Sequence, residues 1–276
     1  MLRQRIITAL ILLPLAILGI LKLDSEYFAL VLGGIILVGG TEWCRMAGIA
    51  NKLQQLLFLT LLLLALWLSW LNIDNRQFIE LLLWAALAWW LLALVWVLSY
   101  PKGANLWYGN LYIRIFAGLL LLLPTWVALV NLQAQQLPLQ HGPERVLFLM
   151  VLIWIADSGA FFSGRKFGRN KLAPRVSPGK SWEGVIGGAI ASVLAAWLII
   201  ENFSLGLSFN ATAAAGYVLI ILFSVLGDLT ESMYKRRAGI KDSGSILPGH
   251  GGILDRIDSL TSAAPIFLLA LIQGWI

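Results

Sequence analysis

The sequence predicts an all-α, polytopic integral membrane protein with about nine transmembrane helices. Of its 276 residues, 59% are hydrophobic and only 12% are charged, whereas soluble domains carry about 25% charged residues. The apolar residues occur in runs of about 16 to 21, separated by short polar segments, and a helix of that length spans the core of a bilayer. These two observations exclude an ordinary soluble protein.

Each predicted span is an apolar run that ends at a polar or charged segment. The first is expected to be an uncleaved span rather than a signal peptide, because the charged residues of 22–26 follow it in place of a small-residue cleavage site. Pro14 and Pro124 lie inside spans, where neighbouring helices can satisfy the freed carbonyl groups. The nine predicted spans cover residues 6–21, 27–44, 54–71, 78–98, 110–130, 145–163, 184–201, 211–228 and 260–275.

Two parts of the chain are predicted to have different tasks. Residues 1–140 are interpreted as an N-terminal transmembrane scaffold of about five helices. Residues 141–276 are interpreted as a catalytic transmembrane half with two polar loops, at 157–183 and 227–258. The second loop, 227–258, is called the island below.

The distribution of Lys and Arg predicts the orientation. If the N-terminus is cytoplasmic, all of the 20 basic residues fall on the cytoplasmic side except Lys22, Arg76 and Arg145. An asymmetry of this size follows the positive-inside rule. It places both polar loops in the cytoplasm and, after nine spans, the C-terminus outside.

Composition also narrows the partners. The net charge of +6 is not accompanied by a basic patch interleaved with exposed aromatic residues, so nucleic acid is not expected. Anionic lipid and phosphate are the expected partners. The single Cys44 excludes an intramolecular disulfide and a cysteine-based metal cage, and it is interpreted as a packing residue.

The island begins with a helical pattern of polar residues. Asp228, Ser232, Lys235 and Arg236 are spaced to share one face if the eighth span continues as a helix. A carboxylate at the membrane boundary with cations beyond it could hold a metal ion beneath an anionic substrate. The alternative for a cation such as Arg237 is contact with lipid head groups.

A glycine-rich turn follows at residues 247–252 and leads into a helix. Its glycines let backbone N–H groups approach an anion, and the helix N-terminus adds its positive dipole end. Asp255 and Asp258 can face the same way and offer the hard oxygen ligands that suit Mg²⁺ with phosphate. They could instead be acids favoured by the helix dipole. His250 either contacts phosphate or caps the turn.

The loop at 157–183 is rich in cations. Its tripeptide 179–181 resembles the end of a nucleotide P-loop, but Pro174 replaces the first glycine of that motif and no strand is expected before it, so a P-loop is rejected. Six cations and a Ser-Pro turn instead predict a polyphosphate site. Asp157 lies within the sixth span and is expected to pair with a cation of this loop or to support the site.

Both loops contain long motifs. These are S-x-x-K-R-x-x-x-x-K-D-x-G-x-x-L-P-G-H-G-G-x-L-D-R-x-D from Ser232 to Asp258, and upstream D-S-G-A-F-F-S-G-R-x-F-G and K-L-A-P-R-V-S-P-G-K-S-W-E-G. The motifs resemble those of the phosphatidate cytidylyltransferases, also called CDP-diacylglycerol synthases. The similarity covers about residues 155–260, and 1–140 match only as apolar spans. Ser158 and Ser181 stand where Thr is common in relatives and keep the hydroxyl group.

The resemblance implies the reaction of CTP with phosphatidate to give CDP-diacylglycerol and diphosphate in phospholipid biosynthesis. It implies a Mg²⁺ requirement, with K⁺ as a candidate second cation, a homodimer, and a multi-pass protein of the inner membrane with its active site facing the cytoplasm. The metal ligands would be Asp228 and Asp255, and the catalytic set adds Lys180 and Asp258. The predicted substrate-binding residues are Ser177, Pro178, Lys180, Arg165, Lys171, Ser232, Lys235, Arg236, Lys241, His250, Gly251, Gly252 and Arg256.

Three other functions stay open. A transporter also fits nine spans, but it would place its charges near the bilayer midplane, whereas here they concentrate at one membrane face. A related lipid nucleotidyl- or phosphotransferase, such as a CDP-archaeol synthase or a polyprenol kinase, would use the same loops on another lipid. A non-catalytic lipid-binding scaffold is the third alternative.

Overall fold

The computed structural model describes residues 2–134 and 141–276. The predicted boundary at residue 140 lies outside the described residues. The predicted all-α architecture is confirmed, with a short two-stranded hairpin added to it. The elements are α1 (Leu2–Lys22), α2 (Ser25–Met46), α3 (Lys52–Leu71), α4 (Arg76–Ser99), α5 (Ala104–Tyr108), α6 (Leu111–Gln133), α7 (Gly142–Phe167), β1 (Lys171–Ala173), β2 (Ser177–Ser181), α8 (Trp182–Asn202), α9 (Ala211–Ala238) and α10 (Leu254–Ile272).

Seven of the described helices, α2, α3, α4, α6, α7, α8 and α9, are long and apolar enough to cross a membrane. The protein is therefore a multi-pass membrane protein. The first and ninth predicted spans correspond to α1 and α10, which are weaker candidates. Among the side chains that the structure describes, the apolar segment of α1 is Ile7–Lys22, and α10 carries Asp255, Arg256 and Asp258 in its first turns. The count of nine stays a prediction.

Asparagine side chains begin four of the helices. Asn51, Asn75, Asn110 and Asn210 accept hydrogen bonds from backbone N–H groups in the first turns of α3, α4, α6 and α9. These N–H groups have no partner within the helix, so an N-cap stabilises it by about 1 kcal/mol. The caps explain why each helix starts where the polar segment before it ends.

Small residues let α7 and α8 pack closely. A Cβ atom on Gly188 would lie 2.5 Å from the carbonyl oxygen of Ala156, so glycine is needed for this approach. The pair positions the hairpin that connects the two helices. Elsewhere in the core, Cys44 is 1% exposed, which confirms its predicted packing role.

The hairpin corrects one expectation. Strands β1 and β2 are antiparallel, with Lys171 opposite Ser181 and Ala173 opposite Ser177. The expectation that no strand accompanies the tripeptide at 179–181 is wrong, because the chain reverses after Ala173 and pairs with itself. Ser181 then caps α8 by accepting a hydrogen bond of 3.2 Å from the N–H of Gly184.

Candidate active site

Helix α9 carries the first part of the site. It continues to Ala238 and ends at Gly239, which has a positive φ of 69°. The predicted helical continuation is confirmed. The Ser232 hydroxyl donates to Asp228 Oδ1 at 3.2 Å, as the spacing of four residues requires.

Lys180 joins the two polar loops. Its Nζ atom lies 2.5 Å from Asp228 Oδ2, and the two side chains are 25% and 31% exposed. A second link comes from Arg236, whose Nε–H donates to the carbonyl oxygen of Val176 at 3.2 Å. The two loops therefore form one site. Lys180 lies in β2 and is a partly buried, paired residue, whereas the sequence places it in an unstructured loop.

A cavity of about 340 Å³ lies beside this ion pair, between α7, α8 and α9. Its lining includes the polar side chains of Asp157, Arg165 and Lys180 and the apolar side chains of Ile221 and Val225. Asp157 interacts electrostatically with Lys180, so its predicted support of the site is consistent with its position. A cavity lined by both polar and apolar side chains suits an amphiphilic ligand.

Lys235 forms the second ionic cluster. Its Nζ atom lies 2.9 Å from Glu231 Oε1 and 2.7 Å from Asp255 Oδ1. This contact holds α10 against α9. Each of the two carboxylates, Asp228 and Asp255, therefore pairs with a lysine that is distant in sequence and that only the folded chain brings to it.

Asp255 accepts several further hydrogen bonds. Its Oδ2 atom accepts from the Ser243 N–H at 2.9 Å, the Ser243 hydroxyl at 3.0 Å and the Gly252 N–H at 2.8 Å. Burial alone would raise the pKa of Asp255, but the hydrogen bonds from Lys235 and Gly252 outweigh burial and lower the pKa to about 2. Asp255 is therefore a carboxylate at neutral pH.

The glycine-rich turn is closed by backbone hydrogen bonds. The N–H of His250 donates to the carbonyl oxygen of Leu247 at 2.9 Å, and Gly249 and Gly251 have positive φ values of 75° and 84°, which favour glycine. Arg256 donates to the His250 carbonyl oxygen from Nε at 3.0 Å and Nη2 at 2.7 Å. Arg256 thus stabilises the turn.

The imidazole ring of His250 does not take part in the hydrogen bonds that close the turn. Its buried Nδ1 atom has no hydrogen-bond partner within the part of the chain that the structure describes. A buried ring nitrogen normally has one. The contact of His250 with phosphate therefore stays a prediction, and its backbone rather than its ring closes the turn.

The N-terminus of α10 is already occupied. The N–H of Ile253 donates to Glu42 Oε1 at 3.0 Å, and the N–H of Leu254 donates to Glu42 Oε2 at 2.8 Å. The N–H of Gly252 also donates to Asp255. We expected these N–H groups to be free to approach an anion, but carboxylates of the protein already accept their hydrogen bonds. Sequence reasoning missed Glu42, although an acid inside an apolar span is costly without a partner and is itself a signal.

The remaining predicted residues surround these clusters. Asp258 Oδ1 accepts a hydrogen bond of 2.7 Å from the N–H of Ser259, and the charges of Asp228, Lys180 and Lys235 act on the Asp258 carboxyl group. Ser177 and Pro178 belong to β2 with Lys180, Lys171 is exposed on β1, and Lys241 is exposed beyond the end of α9.

Comparison with known proteins identifies the family of this chain. A model described as the cytidylyltransferase family matches residues 3–273. The chain belongs to this family. It is 47% identical to a phosphatidate cytidylyltransferase of Pseudomonas aeruginosa over 100% of this chain and 99% of that protein. It is 41% identical to a phosphatidate cytidylyltransferase of Haemophilus influenzae over 97% of each chain. The resemblance found in the two loops is therefore confirmed.

Family membership extends beyond the loops. The motifs that resemble the family lie only within about residues 155–260, but the family match begins at residue 3. The N-terminal helices therefore belong to the family's fold as well. This agrees with the contact between Glu42 of α2 and the start of α10.

Proposed function

We propose that this protein catalyses the reaction of CTP with phosphatidate to give CDP-diacylglycerol and diphosphate. The relatives of this name align with nearly the whole chain. The observation that carries the proposal is the contact of Lys180 with Asp228, which unites two polar loops beside a cavity in a membrane protein. A transporter would instead distribute its charges along a path through the membrane.

The chemistry requires positioning rather than a protein base. A phosphate oxygen of phosphatidate is already anionic, and it attacks the α-phosphorus of CTP. The bond from that phosphorus to the oxygen bridging to the β-phosphorus breaks, and diphosphate leaves with the electron pair. Lys180 and Arg165 on the cavity wall would bind phosphate oxygens and oppose the charge that develops.

The proposal includes Mg²⁺, which prefers hard oxygen ligands. The carboxylates of Asp228 and Asp255 would hold it, and its chemistry would be to neutralise phosphate charge, with K⁺ as a second cation. Within residues 2–134 and 141–276, no group of three or more Asp, Glu, His and Cys side chains could hold a metal ion. Mg²⁺ commonly binds through one or two carboxylates together with substrate phosphates and water, so a two-carboxylate site is adequate.

Lys180 would change partners during binding. It pairs with Asp228 in the structure, and a triphosphate would compete for its ammonium group. Transfer of Lys180 to a phosphate oxygen would free an oxygen of Asp228 for the metal ion. This exchange reconciles the observed ion pair with the proposed role of Asp228.

Assay of the purified protein tests the function. We expect diphosphate release that requires both CTP and phosphatidate, and a product that contains the phosphatidate acyl chains. Diacylglycerol and a polyprenol, offered as acceptors with CTP, are the controls for the related lipid kinases, and an archaeal ether lipid phosphate is the control for a CDP-archaeol synthase. Absence of diphosphate release with phosphatidate, or a preference for one of these other acceptors, would contradict the proposal.

We also propose that the protein lies in the inner membrane as nine spans, functions as a homodimer, and has its active site in the cytoplasm. The positive-inside asymmetry supports the orientation. Ser245, between α9 and α10, and Gln273, at the end of α10, are both exposed and therefore suitable positions for labelling. In a Cys44→Ser background, Ser245→Cys should react with an impermeant maleimide only from the cytoplasm, and Gln273→Cys only from the other side. Labelling of both from one side would disprove nine spans.

A further inference from the structure

Glu42 is a buried carboxylate that reaches the site from the N-terminal part of the chain. It lies near the end of α2, and the residue is 4% exposed. Burial of an unpaired carboxylate is unfavourable, so its partners explain its presence. Among residues 2–134 and 141–276, the hydrogen-bond donors to the Glu42 side chain come from the island.

Both oxygens of Glu42 bind the beginning of α10. Oε1 accepts the N–H of Ile253 at 3.0 Å, and Oε2 accepts the N–H of Leu254 at 2.8 Å. The N-cap residue of α10, Ile253, has no side-chain cap hydrogen bond. Glu42 therefore performs from another helix the task that Ser or Asn usually performs locally, and its negative charge is favoured by the helix dipole.

Ser243 connects Glu42 to Asp255. Its hydroxyl oxygen lies 3.0 Å from Glu42 Oε2 and 3.0 Å from Asp255 Oδ2. The single hydroxyl hydrogen can serve only one carboxylate at a time. The N–H of Ser243 also donates to Asp255 at 2.9 Å. The two carboxylates therefore share one neighbour, and a displacement of either one moves the donors of the other.

Two glycines make room for the Glu42 carboxylate. A Cβ atom on Gly252 would lie 2.5 Å from each of its oxygens, and a Cβ atom on Gly244 would collide with Oε1. Neither glycine has a positive φ, so the backbone conformation does not require glycine at these positions. Close approach to Glu42 does.

We propose that Glu42 is a positioning residue for the reaction. It fixes the first turn of α10 and, through Ser243, sets the position of the Asp255 carboxylate, without itself contacting the substrates. The inference rests on the role proposed above for Asp255. It gives the N-terminal part of the chain, interpreted from the sequence as a scaffold, a direct effect on turnover.

Replacement of Glu42 by Gln tests this inference. Glu42→Gln keeps the shape of the side chain, but an amide NH₂ replaces one of the two accepting oxygens and faces N–H or O–H donors. The hydrogen bonds on that side of the former carboxylate are therefore lost. We expect kcat to fall by about tenfold or more, because a small displacement of a reacting group can lower the rate by that factor. KM for CTP should change by less than about twofold. Glu42→Asp keeps the carboxylate on a shorter stem and should retain more kcat than Glu42→Gln. Glu80→Gln, which alters an exposed ion pair with Arg76, is the matched control and should behave as wild type.

Ser243→Ala provides the second measurement. It removes the shared hydroxyl and should lower kcat in the same direction as Glu42→Gln, with the double variant losing less than the product of the two single losses. Wild-type kcat in Glu42→Gln, or losses that multiply, would overturn the inference. If Glu42→Gln does not fold, wild-type kcat in Ser243→Ala overturns it. A purely structural role would lower the melting temperature and leave kcat per folded molecule unchanged.

The role of Asp255 is tested separately. If Asp255→Asn keeps its activity, the proposed site itself is wrong. If Asp255→Asn is inactive and Glu42→Gln is normal, only the inference about Glu42 fails. The two failures are therefore distinguishable.

Discussion

Asparagine in place of Asp228 or Asp255 is expected to reduce Mg²⁺-dependent turnover by about a hundredfold or more, because loss of a transition-state charge contact costs on the order of 3 kcal/mol. The substitution keeps the size of the side chain and removes its charge. Ser232 can still donate to residue 228, and the N–H groups of Ser243 and Gly252 can still donate to residue 255. In Asp255→Asn, Lys235 also keeps Glu231 as its counter-ion, so no buried charge is left without a partner. Membrane insertion and purification should therefore be normal, and kcat at saturating CTP is the measurement.

The double variant distinguishes two arrangements. If Asp228 and Asp255 hold one ion, each single variant loses it, and the double variant should be little worse than either. If each carboxylate only positions its own lysine, Lys180 or Lys235, the two losses should multiply. Asp74→Asn, an exposed acid between α3 and α4, is the control for loss of a negative charge. Near-normal activity of either single variant at low Mg²⁺, or multiplied losses, would exclude a shared ion.

The helices could be predicted because their signal is local. The apolar runs and the spacing of Asp228 and Ser232 depend on residues close in sequence, and the structure confirms them. The Gly-rich turn before α10 was predictable for the same reason, since positive φ at Gly249 and Gly251 is a property of the turn itself.

The ion pairs could not be predicted because their partners are distant in sequence. Nothing near Asp228 indicates that β2 will deliver Lys180, and the hairpin that does so has strands of only three and five residues. The acceptor at the α10 N-terminus could not be predicted for the same reason, because Glu42 comes from α2. The sequence pattern shows where charged residues lie along the chain. Which charged residues pair with each other depends on how whole helices pack.

Replacement of Lys235 is expected to have the largest effect on stability. Lys235 is the cation between Glu231 and Asp255, and the three side chains are 15%, 4% and 7% exposed in that order. Lys235→Met keeps most of the stem but leaves two buried carboxylates facing each other. Loss of one member of a buried ionic group costs about 3–5 kcal/mol. This corresponds to a fall in melting temperature on the order of 10 °C for a protein of this size.

Lys180 provides the contrast, because it is equally charged but lies at the cavity. Its pair with Asp228 is 25% and 31% exposed, so water screens the charge that remains after substitution and the contribution to stability is small. Lys180→Ala should therefore insert and melt normally, while KM for CTP rises about tenfold through loss of a charged hydrogen bond to phosphate. Unchanged CTP kinetics would remove Lys180 from the site.

A second substitution identifies the cause of the Lys235 effect. In Lys235→Met with Glu231→Gln, the new amide can donate to Asp255 and one of the two facing charges is gone. This double variant should therefore recover part of the melting temperature lost in Lys235→Met. Lys102→Met, at an exposed position before α5, controls for loss of a positive charge and should melt as wild type. A Lys235→Met protein that melts normally, or one that Glu231→Gln destabilises further, would show that repulsion between Glu231 and Asp255 is not what Lys235 prevents.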